Sequence, residues 1–97
     1  MIRFLVTYHG AGAPTPEQME QAKAAFGAWL AEVGAAVVDP GAPLRPAGAV
    51  GQQAEAVSVS GYTVLQAESA DAAKALLASH PFVTRGGTLQ IHEALAV

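Results

Sequence analysis

The chain contains no cysteine. Disulfides, thiolate metal centres and a cysteine nucleophile are thereby excluded together, and no covalent staple supports the fold. Charge is scarce as well: Asp, Glu, Lys and Arg make up 13% of 97 residues, eight acidic against five basic, for a net charge of −3. The basic residues Arg3, Lys23, Arg45, Lys74 and Arg85 are scattered along the chain. Nucleic acid would need them clustered, so no nucleic-acid partner is expected. Long apolar runs are missing too. The opening Met1-Ile2-Arg3-Phe4-Leu5-Val6 is too short for a signal-peptide core, and no stretch is long enough to span a bilayer. These absences describe a small soluble domain, residues 1–97, with no membrane partner, placed in the cytoplasm of a bacterium with an alanine- and glycine-rich proteome.

What the chain does have is apolar residues, 52% of the total, many of them alanine. A chain this short buries only a modest fraction of its surface. Apolar material in excess of what one copy can hide, with little charge to cover it, points to a homodimer.

The pattern along the chain alternates strand and helix signals. Ile2 to Tyr8 is β-branched and aromatic and reads as a strand. Thr15-Pro16-Glu17-Gln18 combines an N-cap, a proline suited to the first helical position and a capping-box glutamine. A helix is expected from Pro16 to about Val33, with Met19, Ala22, Phe26, Trp29, Leu30 and Val33 as its buried stripe and Gly34 as a left-handed cap. Ala36 to Asp39 reads as a short strand. Residues 40–53 are dense in glycine and proline and form a long loop that is either functional or mobile. Glu55 to Ser60 alternates enough for a short strand, and Gly61 to Ala67 is clearly one. Ser69 caps a second helix running to about Ser79, with Asp71 in its first turn and Pro81 as its stop. Gly86-Gly87 turns the chain into a last strand, Thr88 to Glu93.

The order predicts an α+β domain of ferredoxin-like βαββαβ topology: one antiparallel sheet with two helices on one face. The other face is then bare in a monomer. Its contributors are polar at the tip: Arg3, Thr7 and His9 from the first strand, Gln90 and His92 from the last, and Tyr62 or Thr63 from the strand between, depending on register. A second copy stacked on that face would close a cavity suited to a small molecule.

Several segments carry a family likeness. Phe4-Leu5-Val6-Thr7-Tyr8-His9, Val38-Asp39-Pro40-Gly41-Ala42-Pro43-Leu44, Gly61-Tyr62-Thr63-Val64-Leu65-Gln66-Ala67, His80-Pro81-Phe82 and Gly86-Gly87-Thr88-Leu89-Gln90-Ile91-His92-Glu93 together resemble the YCII-related family. The resemblance implies a dimeric α/β barrel with a pocket between sheet and partner. It implies no agreed chemistry. The His–Asp acid–base pair proposed in some relatives is not carried here. Glu17-Gln18-Met19-Glu20 holds no histidine, and His80 occupies the position before the proline where that pattern has aspartate.

The candidates for chemistry are few. His80, His9 and Asp39 are the candidate catalytic residues. An imidazole titrates close to working pH, and Asp39 could orient one. Tyr62, His92, Arg3 and Thr7 are the candidate ligand contacts. Each has a plainer role available: His80 as a partner of unpaired helix carbonyls, His9 as an exposed strand end, Asp39 as a turn cap. The three histidines lack metal-ligand spacing, so no metal is expected. The glycines lack a phosphate-binding fingerprint, no serine sits in a nucleophile elbow, and no cofactor is expected. Two functions follow as expectations. One is a small-molecule enzyme or binder using the dimer cavity; as an enzyme it would carry out cofactor-free proton transfer or elimination on a small substrate. The other is a non-catalytic metabolite-sensing or protein-interaction module.

Overall fold

Strand signals at the two ends and in the middle of the chain meet in one sheet. The structure, a computed structural model, describes residues 1–10, 15–52 and 58–96. Strands β1 (Ile2–His9), β2 (Val37–Pro43), β3 (Gly61–Ala67) and β4 (Thr88–Glu93) lie in the order β2-β3-β1-β4. Every neighbouring pair is antiparallel. The arrangement is consistent with a ferredoxin-like α+β fold. Among the described residues no helix is long and apolar enough to cross a membrane.

The first helix, α1 (Pro16–Val33), begins where its sequence directs. Thr15 accepts from the Gln18 amide, and Gln18 Oε1 accepts from the Thr15 amide, a complete capping box followed by proline. Trp29 is buried, with Phe26, Leu30 and Val33 packed beside it. The expected stripe is shorter at its start, because Met19 is half exposed. Gly34 closes the helix at a positive φ and leads into a 3-10 turn, Gly34–Ala36. The second helix, α2 (Ala70–Leu77), is capped by Ser69, whose side chain accepts from the Ala72 amide.

Two expectations need correction. The strand expected over Ala36 to Asp39 runs from Val37 to Pro43, well into the glycine- and proline-dense stretch. It tolerates Pro40 and Pro43 because it is an edge strand and need not donate on both sides. Its pairing with β3 is irregular between Val37 and Ala42. Gly41 sits in that irregularity at φ +77, and a Cβ there would collide with the Tyr62 carbonyl. Pro81, expected only to stop α2, also starts a third helix, α3 (Pro81–Thr84). Of the expected strand over Glu55 to Ser60, residues 55–57 lie outside the described residues and residues 58–60 are not in a strand, though Ser60 bonds the Tyr8 carbonyl through its amide.

All three helices pack on one side. Phe4 and Val6 of β1, Thr63, Leu65 and Ala67 of β3, and Ala73, Leu77 and Trp29 of the helices form the buried layer. The alternate residues, Arg3, Leu5, Thr7 and His9 of β1, Tyr62, Val64 and Gln66 of β3, and Thr88, Gln90 and His92 of β4, fall on the other face. Among the described residues no element covers that face.

Candidate functional site

Polar side chains collect on both sides of β1, and the two sets differ in character. On the helix side, Tyr8 Oη lies 2.9 Å from His80 Nε2 and 2.7 Å from Thr63 Oγ1. Thr63 Oγ1 donates to the Pro40 carbonyl at 2.9 Å, and His80 Nδ1 accepts the Phe82 amide at 3.0 Å. The two ends fix every proton between them. An amide can only donate, so His80 Nδ1 is bare and Nε2 carries the hydrogen. A carbonyl can only accept, so Thr63 donates to Pro40 and receives from Tyr8. The chain therefore runs His80 Nε2–H to Tyr8, Tyr8 O–H to Thr63, and Thr63 O–H to Pro40.

This chain is buried at both His80 and Thr63. His80 is 1% exposed and Thr63 0%. The imidazole is boxed by Tyr8, Phe26 and Trp29, the nearest ring centroid being that of Trp29 at 4.5 Å. Burial, with a smaller contribution from the Arg85 guanidinium, pushes the His80 pKa down to about 4. Burial also raises the Tyr8 phenol, against a smaller opposing effect of the Thr63 hydrogen bond. Both groups are neutral at ordinary pH. His80 thus serves as the N-cap of α3 and not, as the sequence suggested, as a partner of carbonyls at the end of α2.

On the open face the arrangement is wetter. His9 Nδ1 donates to the Ser58 carbonyl at 2.9 Å, which leaves Nε2 of the neutral ring as an acceptor. Thr7 Oγ1 lies 2.8 Å from that nitrogen and fills it with its own proton. On the other side of the same hydroxyl, His92 Nε2 stands at 3.5 Å. Thr7 is paired in register with Tyr62 on β3 and with Gln90 on β4, so both neighbours flank it on the same face. Asp39 stands at the edge, where Oδ1 caps its own turn by accepting the Gly41 amide and Oδ2 accepts the Tyr62 hydroxyl at 3.4 Å.

The expected residues therefore divide. Thr7, His9 and His92 come together around one hydroxyl, with Tyr62 beside them and Asp39 one contact further out. Arg3 shares the face but stands four residues along the strand from Thr7, about 13 Å away. His80 stands on the opposite side of the sheet, because Tyr8 and His9 are consecutive in β1 and point in opposite directions. The Tyr8–Thr63–His80 chain was not foreseen from the sequence; the only local hint was the His80-Pro81 pair, a capping residue ahead of a proline at the first helical position.

Among the described residues no group of three or more histidine, aspartate or glutamate side chains converges to hold a metal ion. An open, mainly apolar depression of about 300 Å³ lies away from both polar sets, between α2, α3 and β4, lined by residues including Leu77, Val83, Leu89 and Ile91. No family model, curated protein or solved structure matches this chain.

Proposed function

We propose that this domain is a YCII-related, ferredoxin-like βαββαβ unit that works as a homodimer. Its two open sheet faces close a polar cavity for a small molecule, as in a dimeric α/β barrel. The reaction, in this reading, is cofactor-free proton transfer or elimination, with His9 as the proton-handling group and Thr7, His92, Tyr62 and Asp39 as polar contacts. The family assignment rests on the five quoted segments. The site rests on one observation: the open face carries a hydroxyl held between two imidazoles, His9–Thr7–His92. Such an array has no packing task, because no described element covers it. His80 enters this reading as a residue that positions β1, through Tyr8, from the far side of the sheet.

The site is tested by NMR titration of the purified protein with a panel of small aromatic and cyclic acids, reading the ring resonances of all three histidines. The reading expects shifts at His9 and His92 with none at His80. Shifts confined to His80, or to residues of the helical side, would overturn it.

A second reading has an observation of its own. Leu5 is 41% exposed at the centre of the open face, and its strand partner there is Val64. An apolar centre suits a dry interface, as in a non-catalytic protein-interaction module. The same titration separates the two, because a dry interface leaves His9 and His92 unresponsive to every small molecule.

A further inference from the structure

We infer that Thr7 is a nucleophile, activated by His9, for acyl transfer from small esters whose acyl group is short and apolar. The inference rests on the reading of the open face as a small-molecule site with His9 as its proton-handling group, and goes beyond that reading in the reaction it assigns. It starts from the direction of the hydrogen bonds. His9 Nδ1 is tied to the Ser58 carbonyl, so the ring presents a single basic nitrogen, Nε2. That nitrogen is already occupied by the Thr7 hydroxyl at 2.8 Å. The proton closest to that nitrogen is therefore the Thr7 hydroxyl proton. A hydroxyl, a base within hydrogen-bond reach and a third group orienting the base together make the arrangement that activates a nucleophile.

The surroundings fit the rest of the reaction. An attacked carbonyl needs donors for its developing oxyanion. His92 Nε2 stands beside the Thr7 hydroxyl, and the Gln90 amide side chain extends from the position directly across β4. The acyl group needs an apolar floor. Leu5 and Val64, paired across β1 and β3, lie one step along the same face from Thr7. A short hydrocarbon chain matches them, and their small extent disfavours a long one.

The step balances without any further reactant. Thr7 Oγ1 bonds to the acyl carbon as the bond from that carbon to the leaving alkoxide breaks. His9 Nε2 takes the Thr7 proton and delivers it to the alkoxide, which departs as an alcohol. Water then attacks the acyl-threonine ester, with His9 again taking a proton, and releases a carboxylic acid and free Thr7.

The probe is p-nitrophenyl butyrate, mixed with the full chain and quenched in acid for intact-mass and peptide mass spectrometry. The expected result is one butyryl group on the peptide that contains Thr7, formed together with nitrophenol release. Thr7→Val removes the hydroxyl at nearly constant shape and should abolish the label, whereas Thr7→Ser should keep it. His9→Gln should slow labelling by at least about 100-fold, the usual contribution of a positioned base. Circular dichroism and sedimentation confirm that each variant is folded and of unchanged mass. A label found only on lysine or the N-terminus, or an equal rate in His9→Gln, overturns the inference. Absence of the label in a chain that still binds small molecules at His9 and His92 overturns the nucleophile alone. Labelling of Thr7 in a chain that sediments as a monomer upholds it and overturns the dimer cavity instead.

Discussion

Acid should unfold this protein through His80. The folded side chain titrates near 4 and the free side chain near 6.5. Between those values the unfolded chain binds more protons, so stability rises with pH across the window and is lost as pH falls. The contribution is complete above 6.5. The pKa difference corresponds to about 3 kcal/mol at full extent, a large share of the total stability of a small domain. Its cause is geometric. Protonating Nδ1 destroys the acceptor of the Phe82 amide and places a cation among Tyr8, Phe26 and Trp29. Carboxylates also titrate on the way down, so the comparison needs a variant. His80→Asn keeps an acceptor for the Phe82 amide but has no titration. Urea unfolding of both proteins at a series of pH values separates the effect. The wild type should lose about 3 kcal/mol more than His80→Asn between pH 6.5 and pH 4. Parallel pH profiles for the two proteins would refute the buried, neutral histidine.

Two further predictions concern the same region. Tyr8→Phe leaves the His80 Nε2–H without an acceptor and Thr63 without its donor, and should cost about 1–3 kcal/mol in urea unfolding; an unchanged midpoint would mean that the hydrogen-bond chain is not formed. Gly41→Ala forces a Cβ against the Tyr62 carbonyl at a positive φ and should cost about 1–3 kcal/mol, read as a lowered thermal midpoint; a neutral result would place β2 elsewhere.

The parts of this molecule that were legible in its sequence are those governed by neighbours in the chain. The capping box at Thr15 and Gln18, the cap at Ser69, and the alternation of β1, β3 and β4 all arise within a few residues. They held in the structure nearly to the residue. From the alternation came also the sharing of one face by Thr7, His9, Tyr62 and His92, with Tyr62 rather than Thr63 set by the register. What local pattern could not carry was pairing across the fold. The bond from Tyr8 to His80 spans 72 positions, and no periodicity points to it. Edge position was equally invisible. Pro40 and Pro43 argued against a strand until β2 proved to have only one hydrogen-bonded side. His80-Pro81 read as a stop because a proline after a helix ends it, whereas here the same proline also opens the next turn.

The central claim is that the open face of the sheet is completed by a second copy of the chain. Sedimentation equilibrium on the wild type and on Leu5→Arg tests it most directly. The account predicts a mass near twice 9.8 kDa for the wild type and 9.8 kDa for the variant, whose added charge sits at the centre of the proposed interface. A wild-type chain that stays at 9.8 kDa, or a variant that dimerises as well as the wild type, would contradict it.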